Sequence, residues 1–131
     1  MANSTRKPTA AELDILAILW EQGPSTVRQV SEALGDKAPG YTGVLKLLQI
    51  MTAKGMVRRD ESERAHVYKP RRPAEQTKRQ IVDDMLHRVF QGSASQLMLH
   101  ALAGRPASPD ELQKLRQILD QCEEREDGNA D

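Results

Sequence analysis

Apolar residues recur at helical spacing from near the start of the chain, where Leu13, Ile15, Leu16, Ile18, Leu19 and Trp20 run up to a break at Gly23-Pro24. Thr9 precedes them with a hydroxyl that can cap the backbone, and Glu12 three residues on completes a capping box. A helix of about three turns is predicted. A shorter helix follows over about residues 27–34, with Ser25 or Thr26 as its cap, Val27, Val30, Ala33 and Leu34 as its buried stripe, and Gly35 ending it. Past Ala38-Pro39-Gly40 a third helix is predicted over 41–54, stopping at Gly55. Residues 56–59 and 65–69 then read as short strands around the polar Asp60-Glu61-Ser62-Glu63, forming a β-hairpin.

The second half carries helical patterns and no strand pattern. Ile81, Val82, Met85, Leu86, Val89 and Phe90 form one stripe, broken at Gly92. Ala94, Leu97, Met98, Ala101 and Leu102 form another, started by Ser93 or Ser95. Ser108-Pro109-Asp110-Glu111 combines an N-cap serine, a first-turn proline and a capping glutamate ahead of Leu112, Leu115, Ile118, Leu119 and Cys122. The expected fold is therefore mainly α with a small β-wing: an N-terminal winged helix-turn-helix domain and a C-terminal three-helix domain. Pro70-Arg71-Arg72-Pro73 punctuates the chain, which places the domains at 1–72 and 73–126, with 127–131 as a disordered acidic tail.

Charge sharpens that division. The whole chain of 131 residues has a formal net charge of zero, yet residues 1–72 carry 12 Lys/Arg against 8 Asp/Glu, whereas residues 73–131 carry 7 against 11. A basic half joined to an acidic one suggests that one half meets a polyanion. No run of about 18 apolar residues exists to cross a membrane, and Met1 to Pro8 lacks the apolar stretch of a signal peptide, so no membrane insertion and a cytoplasmic location are expected. The lone Cys122 is expected to be a small buried hydrophobe.

The third helix is the most informative segment. On a helical wheel Val44, Leu47, Leu48 and Met51 gather on one side, leaving Thr42, Lys46, Gln49 and Ala53 on the other. A hydroxyl, an ammonium, an amide and a small methyl can approach base edges or phosphates in a major groove, and Tyr41 stands at the helix start, where recognition helices meet DNA. Lys54, Arg58, Arg59, Arg64, Lys69, Arg71 and Arg72 cluster in the hairpin and its flanks against three acids. Such a wing suits a phosphate backbone, with Arg64 and His66 on the returning strand best placed to border a minor groove.

Four segments in register, PTAAELDILAILWEQGPSTVRQV, YTGVLKLLQIMTAKGMVRR, RAHVYKP and FQGSASQLML, make the sequence resemble the penicillinase and methicillin-resistance repressor family of winged-helix proteins over nearly its whole length. The resemblance implies a homodimer bound to a palindromic promoter operator in double-stranded DNA. It also implies an indirect link to a membrane sensor peptidase that relieves repression. The DNA-facing set expected from the third helix and the hairpin is Tyr41, Thr42, Gly43, Lys46, Gln49, Lys54, Arg58, Arg64 and His66, with Gly43 standing where many relatives carry a second threonine. Dimerisation falls to Ile81, Met85, Val89, Phe90, Leu97, Met98, Leu112, Leu115, Ile118 and Leu119. Three short amphipathic helices cannot cover their own apolar stripes, an independent reason to expect pairing. The bond cut in some relatives is asparagine-phenylalanine, and its place falls at His100-Ala101, where both residues differ. A copper-sensing branch carries a C-terminal cysteine cluster that this chain lacks.

Two other binding roles compete: a winged-helix module that holds another protein, and a repressor with a small-molecule pocket. The basic wing argues against the first, and nothing in the sequence marks a pocket for the second. Catalysis is not expected. His66, His87 and His100 are scattered, there is no HExxH and no Gly-rich phosphate loop, and the neighbouring Asp83 and Asp84 point in different directions on a helix. No metal or cofactor is expected.

Overall fold

The computed structural model describes residues 7–129, with side chains described as far as 126. The polar start at 1–6 and the last two residues of the expected tail lie outside the described residues. The elements follow the order α1 (Ala10–Gln22), β1 (Ser25–Thr26), α2 (Val27–Leu34), a 3-10 turn (Gly35–Lys37), α3 (Tyr41–Ala53), β2 (Val57–Asp60), β3 (Val67–Pro70), α4 (Ala74–Phe90), α5 (Ala94–Ala103) and α6 (Pro109–Asn129). The chain divides into two compact units, 1–83 and 84–131, and the division falls inside α4.

Local chemistry starts and stops the helices where the sequence indicates. Thr9 Oγ1 accepts from the Glu12 amide at 3.2 Å while Glu12 Oε1 accepts from the Thr9 amide at 2.9 Å, a reciprocal box that satisfies two otherwise orphaned donors. Thr26 and Gln29 repeat the arrangement on α2. Ser93 and Ser108 cap α5 and α6 through the Gln96 and Glu111 amides. Past α3, Gly55 takes a φ of 81°, so its amide reaches Thr52 O and the Met56 amide reaches Met51 O, which closes the helix and turns the chain into β2.

The core of the first unit gathers Ile15, Leu16 and Leu19 from α1, Val27 and Val30 from α2, Val44, Leu48 and Met51 from α3, and Val57 and Tyr68 from the strands. Leu34 packs against its edge, whereas Ala33, expected in the stripe of α2, is exposed. The three strands lie in the order β1-β3-β2, all antiparallel. Strand β1 is absent from the sequence reading. Its two residues pair with Tyr68 and Val67, and buried Ser25 is satisfied through Gly23 O and Gln22 Nε2, which fastens the hairpin to the helices.

The helices beyond the hairpin are built differently. Among the described side chains none beyond Tyr68 is buried, and Val82, Met85, Val89, Met98, Leu99, Leu102, Leu112, Ile118 and Leu119 stand exposed along α4, α5 and α6. There Phe90 sits against His100 with ring centroids 5.4 Å apart. Cys122 is exposed on α6, so the expected burial does not hold within one chain. Helix α6 runs to Asn129, into the stretch expected as a tail.

Candidate nucleic-acid interface

Helix α3 turns Val44, Leu48 and Met51 fully inward, and that commitment decides what the other side presents. Thr42, Lys46, Gln49 and Ala53 are exposed on the side opposite. Tyr41, more than half exposed, opens the helix after Gly40, whose φ of 90° lets the chain turn sharply into it. Gly40 offers no side-chain cap to the first-turn amides of α3.

Tyr41 and Leu45 share a groove of about 440 Å³ with Thr26, Val27 and Arg28 of α2 and with Arg64, Ala65, His66 and Tyr68 of the hairpin. The fold thus brings Tyr41, Arg64 and His66 together beside the exposed face of α3. It adds Arg28, which the sequence reading missed. Arg28 lies within the capping box of α2, between Thr26 and Gln29, and looks like an ordinary surface residue until α2 and α3 pack. The lining of the groove combines apolar Val27, Leu45 and Ala65 with the guanidinium groups of Arg28 and Arg64.

The hairpin explains where its charges go. Arg58 lies directly opposite Lys69, and Arg59 opposite Tyr68. Side chains of directly opposed residues share a face, so Arg58 and Lys69 place two cations together in a position that costs stability in the free protein. Arg59 is engaged within the hairpin: the Tyr68 hydroxyl first, then the Glu61 carboxylate, hold its guanidinium above its ordinary pKa. Arg72 donates to Gly55 O at 3.2 Å and the Arg71 amide to Met56 O at 3.0 Å, which joins the end of β3 to the start of β2. At the tip Asp60 accepts from the Ser62 amide at 2.9 Å, and that bond lowers its pKa.

Lys54 departs from expectation. Its ammonium lies 2.8 Å from the carboxylate of Glu12, which is only 2% exposed, so it links the end of α3 to the first turn of α1 and is not a free cation for phosphate. Burial pushes the Glu12 pKa up, but the bonds from Lys54 and Thr9 and the Lys54 charge outweigh it and leave the carboxyl below its ordinary value. Gly43 also has a structural reason to lack a side chain. A Cβ there would sit 2.8 Å from Pro39 Cγ and 2.9 Å from Pro39 Cβ.

Among the described residues no group of three or more His, Cys, Asp or Glu could hold a metal ion, and no helix is long and apolar enough to cross a membrane.

Comparisons with known proteins show which fold and family the chain shares. The transcriptional regulator BlaI of Mycobacterium tuberculosis is 31% identical over 114 residues, which span 86% of this chain and 82% of that protein. In fold, the chain is similar to the transcriptional regulator Tm0710 from Thermotoga maritima, with a TM-score of 0.52 and 18% identity over 94% of this chain and 79% of that one. It is also similar to the hsRosR-S4 structure, with a TM-score of 0.51 and 19% identity over 95% and 98%. The penicillinase repressor family matches residues 8–121, and with nearly the whole chain accounted for, this protein belongs to that family.

Proposed function

We propose that this protein represses transcription by binding a palindromic operator as a homodimer, with α3 in the major groove, the hairpin along the flanking backbone, and α4, α5 and α6 joining two copies. The observation that carries the reading is the groove between α2, α3 and the hairpin, where Tyr41 meets Arg28, Arg64 and His66 beside the exposed face bearing Thr42, Lys46 and Gln49. Base edges would be read by Thr42, Lys46 and Gln49, and phosphates held by Arg28, Arg58, Arg64 and Lys69. Lys54 is left out because Glu12 holds it. The division of labour, residues 1–72 for DNA and 73–126 for pairing, rests on the charge asymmetry and on the apolar side chains left exposed beyond the hairpin.

Repression is steric in this account: the dimer covers a promoter until a signal removes it. A membrane sensor peptidase is the release route that family membership suggests. His100 and Ala101 lie exposed in the last turn of α5, and neither matches the asparagine-phenylalanine pair cut in the relatives that motivate that route.

A salt titration tests the DNA reading. With several phosphates neutralised, affinity for duplex DNA should fall by about a hundredfold or more between low and moderate salt. The Lys46→Ala variant should lose about tenfold in affinity for a selected duplex and keep the same sedimentation behaviour. A flat salt response, or an unchanged affinity in the variant, would remove the assignment of that face.

A further inference from the structure

Pro39 and Gly43 stand four residues apart across the first turn of α3, and neither is explained by the core. Pro39 is exposed, and Gly43 carries no side chain that could touch anything. Yet the space a side chain at 43 would need is already filled: its Cβ would lie 2.8 and 2.9 Å from two atoms of the proline ring. Real Cβ atoms do not approach that closely, and a pyrrolidine ring cannot rotate aside as the end of a long side chain can. Gly43 is not required by its backbone conformation. It lies inside α3, and its φ is absent from the positive values found at Gly23, Gly35, Gly40, Gly55 and Gly92. Glycine inside a helix costs about 1 kcal/mol relative to alanine, so its presence calls for a compensating contact.

We infer that Pro39 and Gly43 are an interlocked pair of positioning residues that fixes how the chain turns into α3, and through that the angle at which Tyr41, Thr42 and Lys46 are presented. Pro39 occupies the position before the helix cap, where an apolar residue packed on the first turn sets the direction of approach. The usual form of that device packs a side chain against a side chain. Here the ring rests on bare backbone, which draws the turn closer to α3 than any residue with a Cβ allows. Gly40 between them supplies the positive φ that such a tight turn needs. The consequence for recognition is that specificity at the start of α3 depends on two residues, one of which need not touch DNA. This inference rests on the DNA-binding reading for its effect on recognition, but not for the interlock itself.

A double-mutant cycle of Gly43→Ala and Pro39→Gly in the full-length protein tests it, because Pro39→Gly removes both ring atoms that crowd position 43. Two quantities are read: the melting temperature without DNA, and affinity for a duplex selected by the wild-type protein from random sequence, against a scrambled duplex of equal length. Gly43→Ala alone should lower the melting temperature despite the better helix propensity of alanine. It should also weaken the selected duplex by about tenfold while changing the scrambled one by less than about threefold. On the Pro39→Gly background the same substitution should raise the melting temperature and cost less than about threefold on the selected duplex. Should Gly43→Ala fail to fold alone, the comparison of Pro39→Gly with the double variant still decides, since the interlock requires the alanine to stabilise there. Equal effects of Gly43→Ala on both backgrounds would overturn the interlock. Coupled melting with equal losses on both duplexes would overturn the positioning role. If the wild-type protein selects no sequence over the scrambled duplex, the DNA reading and the positioning role both fail, and the melting cycle alone decides the interlock.

Discussion

The ion pair between Glu12 and Lys54 shows how one buried residue ties the winged-helix unit together. A carboxylate 2% exposed needs compensation, and it receives it from the Thr9 amide and from an ammonium 42 positions away. Removing one partner of such a pair leaves an uncompensated charge, so Lys54→Ala should destabilise the protein by about 3 kcal/mol in urea unfolding, with the 20% exposure of Lys54 keeping the loss at the low end of the usual range. The pH dependence has a definite sign. Because the folded pKa of Glu12 lies below its unfolded value, its contribution is fully present at neutral pH and is lost as pH falls through the ordinary carboxylate range towards the folded value. The Glu12→Gln variant should therefore show a shallower loss of melting temperature on acidification than the wild type, and parallel curves would contradict the assignment. Neither this pair nor the crowding of Gly43 by Pro39 is visible in the sequence. Lys54 looks there like one more cation of the wing, and Gly43 like a lost hydroxyl, because both meanings depend on contacts that only folding creates.

At the scale of elements, α1, α2, α5 and α6 were legible because each carries its own start signal, whereas α3 opens at Gly40 without a side-chain cap. Thr9 with Glu12, Ser93 and Ser108 all cap where spacing alone predicts, and Gly55 ends α3 with the bonds its position implies. Strand β1 was not legible: two residues between helices have no periodicity, and Ser25 and Thr26 become a strand only because Tyr68 and Val67 pair with them. The groove was half legible for the same reason. Tyr41, Arg64 and His66 could be inferred from their elements, whereas Arg28 joins them only through the packing of α2 on α3. The hairpin makes a separate prediction. Arg58 and Lys69 face each other across the ladder, so Arg58→Thr should stabilise the free protein by a few tenths of a kcal/mol while weakening DNA binding and reducing its salt slope by about one. A residue that served only the fold would not move stability and DNA affinity in opposite directions. Loss of both in the variant would place Arg58 in the fold and not in the interface.

On the scale of the whole molecule, the ten-residue apolar core found among the described residues ends at Tyr68, and the described helices beyond it expose nine large apolar side chains. The sequence stripes located these helices, but it took the fold to show how little of them a single chain covers. Leu99, for instance, lies outside the stripe expected for α5 and is exposed beside Met98 and Leu102. In the proposed dimer a second copy of the same stripes covers this exposed apolar area. Leu119→Asp should convert the protein to a monomer in analytical ultracentrifugation and weaken operator binding by about a hundredfold, because each half-site would then be bound alone. The melting of the winged-helix unit should be unchanged, since Leu119 lies outside its core.

The central claim is a dimer that reads two DNA half-sites through α3, and hydroxyl-radical footprinting of the full-length protein on the promoter DNA upstream of its own gene tests it most directly. The account predicts two symmetric protected patches whose centres are one DNA turn, about 34 Å, or a whole multiple of it apart, both lost together in the Lys46→Ala variant. A single protected patch, or uniform protection that follows no sequence and survives that substitution, would contradict it.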